Sequence, residues 1–354
     1  MISDNGKKST MKKILHVTES LGGGVATALK GYVQSSPDHW HFLLATKRDG
    51  THDKMTWLQN LAGLDELPRG FLPAVQTIRA VYKKIQPDWV HLHSSFAGGY
   101  GRLAFLPRRK VIYTPHCYAF ERRDIDQWQS LVYRLAEQVL CLGSSVIAAT
   151  SPREMDLAER MALSQRVQML PNSAHLSDAI KAQRRNYQRG PKLKIVMVGR
   201  ISPQKDPGFF LETVKLAQER RLDAEFIWLG GGDAAWEEKL RAAGVNVSGW
   251  LEQDEALRRM AACDIYFHTA AWESCPLSVL EAAALDMVMV CRDSPAIASL
   301  PVNPTVPSAK AAVDVFLRLA QNGRMDDYRN INQALNEDYS AEMQRNALND
   351  LYGA

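Results

Sequence analysis

Carboxylates, cations and glycines collect at the ends of apolar runs in this chain. The densest collection lies between Asp264 and Arg292, in DIYFHTAAWESCPLSVLEAAALDMVMVCR, where Glu273 and Glu281 stand with seven residues between them. Carboxylates accept hydrogen bonds from hydroxyls. Between the two, Pro276 suits the first turn of a helix, and Leu277, Ser278 and Val279 follow with N–H groups that no earlier carbonyl takes. The helix dipole adds positive potential there, so an anion fits. Two hydroxyl-binding carboxylates around an anion seat describe a receptor for a nucleotide sugar. Glu281 also interrupts an otherwise apolar helix, unlike an ordinary surface glutamate.

Three other places could serve the same chemistry. Arg200 follows Gly199 at the end of the apolar run starting at Leu193, and Lys205 comes five residues later. A planar guanidinium fork and a compact ammonium together suit a diphosphate. Gly22, Gly23 and Gly24 lie between the run Ile14 to Thr18 and a helical stretch from Ala26 to Gln34. Their backbone can approach a ligand closely, although the spacing is not the dinucleotide G-x-G-x-x-G. His116 ends the run Val111 to Thr114, where ligands of parallel sheets bind. A neutral imidazole there could bond a sugar hydroxyl or an acceptor. Tyr118, Phe120, Arg122 and Arg123 follow as an acceptor surface, with packing and solvated charge as the plain alternative.

Alternating strands and helices must hold these groups, which predicts doubly wound parallel sheets. At 354 residues the chain suggests two domains. Residues 1–10 are polar and expected to be a disordered tail. Residues 11–177 form a first domain, with strands at Ile14 to Thr18, His41 to Thr46, Pro87 to His93, Val111 to Thr114, Ser145 to Thr150 and Val167 to Pro171. Ala97 to Gly101 is expected to be a flexible loop. Gln127 to Leu142 is expected to be a helix with Leu131, Leu135, Val139 and Leu142 on one face. Residues 178–191 are polar and basic and are expected to be a linker. A second domain spans 192–339, with a helix expected over Asp326 to Leu335. The last helix, within 340–354, joins the first domain.

Composition narrows the function. No apolar run reaches the roughly 18 residues of a membrane span, and the N-terminus lacks the apolar core of a signal peptide. The five cysteines are dispersed, which points to a reducing cytoplasm and away from zinc. Up to Arg189 there are 26 Lys and Arg against 16 Asp and Glu, and beyond it 17 against 23. The basic first half suggests an anionic partner: the inner face of the plasma membrane, met peripherally, or a pyrophosphate-bearing acceptor. No nucleic-acid motif is present.

The Glu-x7-Glu stretch resembles the signature of family 4 retaining glycosyltransferases of the bacterial surface-polysaccharide type. Gly199 to Asp206 resembles that family's G-R-x-x-x-x-K-G segment, with Asp206 in place of the second Gly. Val245 to Asp254 resembles the short strand and loop beside the nucleotide base, where Trp250 could stack on the base or fill core. His116 resembles the family's histidine near the reacting sugar. Leu285-Asp286-Met-Val replaces the usual Gly-x-Pro-Val turn, which leaves that turn's geometry in question. The resemblance runs from about Met11 to Asp293.

It implies a GT-B fold, two Rossmann-like domains facing a central cleft that closes on the substrates. It implies transfer, with retention, from a UDP- or GDP-sugar to a hydroxyl of a glycan or lipid-linked acceptor. Lipopolysaccharide or capsule assembly is the implied setting. Glu281 would bind the ribose hydroxyls, and Glu273 would orient the donor sugar opposite His116. Arg200, Lys205 and the N–H groups of Leu277 and Ser278 would neutralise the diphosphate. Cys275, Trp250 and the Gly22 to Gly24 turn would complete the donor surface. The acceptor attacks from the leaving group's face, so no protein nucleophile is assigned. No cofactor and no metal are implied, and no D-x-D ends a strand. Two rivals share the fold: a nucleotide-sugar epimerase, and a non-catalytic sugar-nucleotide-binding partner subunit.

Overall fold

The computed structural model describes residues 11–19, 21–46, 55–322 and 332–353. The expected tail and most of the expected Asp326 to Leu335 helix lie outside these residues. Strands β1 (Lys13–Thr18), β2 (Trp40–Ala45), β3 (Gly63–Glu66), β4 (Trp89–His93), β5 (Val111–Thr114), β6 (Val146–Ala149) and β7 (Arg166–Met169) form one sheet in the order β3-β2-β1-β4-β5-β6-β7. Strands β8 (Leu193–Val198), β9 (Ala224–Leu229), β10 (Asn246–Val247), β11 (Ile265–His268), β12 (Val288–Arg292) and β13 (Thr305–Val306) form the other, in the order β10-β9-β8-β11-β12-β13. All pairings between these strands are parallel. The winding reverses between β1 and β4 and between β8 and β11, and in such sheets a reversal opens a crevice at the strands' carboxyl ends. β3 escapes the sequence because GLDE is a short edge strand with no β-branched or aromatic residue.

Continuous apolar runs explain the central strands. Ile265, Tyr266 and Phe267 are fully buried, and Phe267 meets Phe210 and Phe316 in the second domain's core. Helix α1 (Gly23–Ser35) covers one face of the first sheet together with the last helix, α13 (Ala341–Gly353). In α13, Gln344 donates to the Pro171 carbonyl at 2.9 Å, and the Tyr352 carbonyl accepts from the Trp89 indole at 3.0 Å. This helix therefore seals the first domain. The polar stretch after Ser177 is helical over α6 (Asp178–Arg185), and Arg184 donates to the carbonyls of Cys263 and Leu285, which pins it to the second domain.

One expectation needs correction. Ala97 to Gly101 is no loop but part of α3 (Ser95–Leu103). Its glycines serve close packing: a Cβ on Gly98 would stand 2.3 Å from the Tyr113 ring, and one on Gly101 would stand 2.3 Å from Leu92. Helix α4 (Gln127–Leu140) has its apolar stripe on one face as expected, but that face looks outward. Trp128 is 70% exposed and Val139 68%, and Leu131, Val132, Leu135 and Leu142 are exposed as well. What α4 buries is Glu137, which accepts from Arg102 at 2.8 Å and from the Tyr113 hydroxyl at 2.9 Å. Periodicity finds a stripe but not the side it faces. Among the described residues no helix is long and apolar enough to cross a membrane.

Asp206, where a second Gly is usual, and Asp286, within the turn that replaces Gly-x-Pro-Val, both adopt left-handed backbone, with φ of 49° and 50°. Each is compensated. Asp206 caps the helix α7 (Pro207–Glu219) through the Phe209 N–H at 3.0 Å and accepts from Arg292 at 2.5 Å. Asp286 accepts from Asn332 at 3.3 Å, and its carbonyl accepts from Arg184 at 3.4 Å. The turn before β12 therefore keeps the geometry a glycine would give. Asp286→Val, which cannot bond locally and is β-branched, is expected to lower unfolding free energy by about 1–3 kcal/mol, whereas Asp286→Gly stays within about 1 kcal/mol of the parent; denaturant titration distinguishes them.

Candidate functional site

The loops after β8 and β11 interlock at the second sheet's reversal. The Ala271 N–H donates to the Gln204 carbonyl at 2.9 Å, and the Gln204 side chain donates to the Trp272 carbonyl at 3.2 Å. The Thr269 hydroxyl holds the Lys205 carbonyl at 2.7 Å. These bonds leave Lys205 and Glu273 in an ion pair, both side chains mostly buried. Glycines set the floor. Gly230 has φ 142°, and a Cβ on it would meet the Gly199 carbonyl oxygen at 2.1 Å, so only glycine lets these two strand ends pass. Arg200, on the same loop, is exposed.

Helix α10 (Leu277–Ala284) follows that loop. The Val279 N–H is taken by the Pro276 carbonyl at 3.0 Å, a correction to the three open groups expected, so Leu277 and Ser278 supply the first-turn donors. The Ser278 hydroxyl is fixed by Tyr266 at 2.7 Å. Glu281 is 8% exposed and accepts from Gln253 at 3.2 Å, and Gln253 in turn accepts from Lys30 of α1 at 3.2 Å. Burial raises the Glu281 pKa, while the Gln253 bond and the charges of Lys205 and Lys30 oppose the rise. Cys275 is buried and its carbonyl is held by Asn172 of the first domain at 3.2 Å, so it shapes the turn more than it offers a thiol. Trp250 is 68% exposed beside Gly231, which decides between its two alternatives: it is a surface ring, not core. Of the three early glycines only Gly23, with φ 53°, has a backbone that calls for glycine; a Cβ on Gly23 or Gly24 would meet nothing within 4 Å.

The first domain faces this with a strained turn. His116 and Cys117 carry φ of 52° and 85° at the carboxyl end of β5. Consecutive left-handed residues persist only where their surroundings hold them. Glu154 does so, and it was not singled out in the sequence. Its carboxylate, 1% exposed, accepts the Cys117 N–H at 2.8 Å and the Thr150 N–H and hydroxyl at 2.7 and 2.9 Å. Burial raises its pKa, and the donated bonds oppose the rise. Thr150 also meets Ser274 of the second domain at 2.8 Å. Glu19 is a second missed carboxylate; it accepts from Ser94 at 2.7 Å and from the Ala97 N–H at 2.9 Å across the first sheet's reversal. Ser151-Pro-Arg-Glu154 reads as a helix start, the one local signal for Glu154. Burial pushes His116 down to about 3, so its imidazole is neutral.

A cavity of about 250 Å³ opens between the domains, lined among others by Phe120, Arg123, Arg134, Arg153, Trp272 and Glu273. Phe120 and Arg123 thus line the same cavity as Glu273. Tyr118 does not: it is 1% exposed, stacked on Phe120 and edge-on to Tyr113 in the core. Arg122 is turned to Asp124, which it holds with two bonds of 2.9 and 2.8 Å. Arg134 was missed because it sits on α4, 11 residues past Arg123. His16, His91 and His93 bring ring nitrogens within 4.8 Å of one another, yet every one of those six nitrogens has a hydrogen-bond partner.

Residues 23–173 match the glycosyl transferase 4-like domain and residues 192–322 the glycosyl transferases group 1 model. An uncharacterised 41.2 kDa protein of the cps region of Klebsiella pneumoniae is 27% identical over 305 residues, 81% of this chain and 82% of that one. The Escherichia coli UDP-Gal:alpha-D-GlcNAc-diphosphoundecaprenol alpha-1,3-galactosyltransferase is 28% identical over 225 residues, 56% of either chain. Among solved structures, Anabaena HepE in complex with UDP and glucose superposes with a TM-score of 0.77 at 16% identity, covering 97% of this chain and 100% of that one. The fold is GT-B.

The Glu154 clamp carries its own test. Glu154→Gln turns an amide N–H₂ toward groups that donate, and is expected to cost about 1–3 kcal/mol of stability with nucleotide binding weakened in step, read by denaturant titration and calorimetry.

Proposed function

Because this chain belongs to the group 1 glycosyltransferases, with a glycosyl transferase 4-like first domain, we propose that it transfers a sugar, with retention, from a UDP-sugar to a hydroxyl of a diphosphate-bearing lipid-linked acceptor. One observation carries this: Lys205, Glu273 and Glu281 lie around the α10 N-terminus at a sheet reversal, and the turn that carries the neutral His116 is bonded through Glu154 and Thr150 to Ser274 of the same loop. In this mechanism Glu281 receives the ribose hydroxyls, its present bond to Gln253 marking the direction from which donors come. Lys205, Arg200 and the N–H groups of Leu277 and Ser278 take the diphosphate charge as it builds in the transition state. The incoming phosphate releases Lys205 from Glu273, whose carboxylate then orients the donor sugar. The acceptor oxygen bonds the anomeric carbon as the bond to the β-phosphate oxygen breaks. The hydroxyl proton passes to that departing oxygen, so the protein supplies no nucleophile.

The acceptor side follows from charge and surface. Arg123 and Arg134 line the cavity beside Glu273, and among the described residues neither has a carboxylate within ion-pair distance. They suit a diphosphate. The outward stripe of α4 begins at the same helix, and Trp128 with its aliphatic neighbours suits the acyl boundary of an anionic membrane. The name of the E. coli relative, with its diphosphoundecaprenol acceptor, supports this. The setting is the cytoplasmic membrane face during surface-polysaccharide assembly.

Two measurements test the proposal. In calorimetry with UDP, GDP and their sugars, UDP ligands should bind, and Glu281→Ala should weaken them by about tenfold or more, the worth of charge-assisted bonds. If no nucleotide binds at millimolar concentration, or the variant binds equally well, the donor is not on α10. Donor turnover without any acceptor would favour an epimerase. For the membrane face, Leu135→Asp with Val139→Asp should abolish flotation with anionic vesicles and leave UDP affinity unchanged.

A further inference from the structure

Four imidazoles cross the first domain in single file. His41 Nε2 lies 2.8 Å from the Ser36 carbonyl oxygen, and its Nδ1 lies 3.0 Å from His16 Nε2. His16 Nδ1 lies 3.0 Å from His93 Nε2, and His93 Nδ1 lies 3.1 Å from His116 Nε2. His16, His41 and His93 are buried. Burial lowers the pKa of all four, and none has a carboxylate partner among the described residues. They are neutral at physiological pH. The adjacent His91 is outside the file, bonded to the hydroxyls of Tyr352 and Thr114, each at 2.8 Å.

A neutral imidazole has one N–H and one lone pair, and a carbonyl only accepts. His41 must therefore donate from Nε2 to Ser36, which leaves its Nδ1 to accept. His16 then donates from Nε2, His93 donates from Nε2 to His16, and His116 donates from Nε2 to His93. The Ser36 hydroxyl agrees with this direction. It donates to the Tyr32 carbonyl at 2.7 Å, so toward His41 Nε2, at 3.2 Å, it can only accept. The opposite direction would leave the Ser36 carbonyl facing a lone pair in the interior, at a cost of about 1–3 kcal/mol.

We propose that the Ser36 carbonyl, acting through His41, His16 and His93, holds His116 as its Nε2–H tautomer, so that the Nδ1 lone pair accepts a hydrogen bond from a substrate hydroxyl. His116 then welcomes a hydroxyl and rejects a phosphate or carbonyl oxygen. His16, His41 and His93 are positioning residues, and the bond that fixes the tautomer lies across the same face of the sheet, beside β2. Only the identity of that hydroxyl rests on the glycosyltransferase proposal.

The test is long-range proton–nitrogen correlation NMR on the full chain labelled with ¹⁵N-histidine. His16, His41, His93 and His116 are each expected to show a protonated Nε2 and a bare Nδ1. A protonated Nδ1 on His116, or a mixture, overturns the proposal. This spectrum needs neither donor nor acceptor, so its failure is separate from failure of the transferase assignment. Two variants read the consequence. His93→Leu removes the partner of His116 Nε2 and should lower kcat by about tenfold or more with the UDP Kd unchanged. His93→Asn offers a carbonyl oxygen near the lost Nδ1 and should restore most of it. Equal loss in both, or no loss in His93→Leu, overturns the positioning role. Titration with zinc is the last arm: the hydrogen-bonded file predicts no uptake, and one zinc bound in a manner lost with His16→Asn would replace the relay with a metal site.

Discussion

At each point where the winding of a sheet reverses, a glutamate on one loop binds the loop opposite. Glu19, after β1, holds Ser94 and the Ala97 N–H after β4. Glu273, after β11, holds Lys205 after β8. Parallel strands cannot be joined by tight turns, so their carboxyl ends open into loops that need tying. These two bonds tie them, and the residues with chemistry to offer sit on or beside the knots. An ion pair as buried as Lys205–Glu273 adds little net stability, because desolvation offsets the attraction. Its value is positional: it fixes a cation and a carboxylate side by side at the second sheet's reversal.

Other buried carboxylates repeat this logic. Glu137 fastens an otherwise exposed helix to Arg102 and Tyr113. Glu154 holds the strained turn at His116. Glu281 waits on Gln253 and Lys30. Glu137 and Glu154 each accept from more than one donor, which is the condition for burying charge. The three carboxylates join elements distant in sequence, so they lock geometry that hydrophobic burial alone leaves free. Through Ser274 and Thr150, and through Asn172 and Cys275, the same network reaches from one domain to the other. The Glu154 clamp and the loop after β11 are therefore one structure across the cleft.

The histidines follow a different rule. They carry no charge, and what passes along them is direction. One backbone carbonyl, at Ser36, fixes which nitrogen of each ring holds its proton. The relation among His16, His93 and His116 exists because β1, β4 and β5 are neighbours in the sheet, although β1 and β4 are separated by two other strands in the chain.

Much of this protein is written locally. Apolar runs such as Ile195 to Val198 and Ile265 to Phe267 can only be buried strands, and the glutamates, cations and glycines beside them follow at fixed short distances. That was enough for two parallel-sheet domains and for Glu273, Glu281, Arg200 and Lys205 as candidates. The rest depends on contacts between distant segments. Periodicity placed Leu131, Leu135 and Val139 on one face of α4, but only the seating of Glu137 against Arg102 decides that this face looks outward. Glycines in α3 read as flexibility, and packing against Tyr113 and Leu92 gives them another purpose. Tyr118 is core and Arg134 lines the cavity because the segment after β5, α4 and the loop after β11 meet there, which no local pattern encodes. Residue types and their spacing fix what each side chain can do. Only the folded sheets, by bringing strand ends together, decide which of them act on one another.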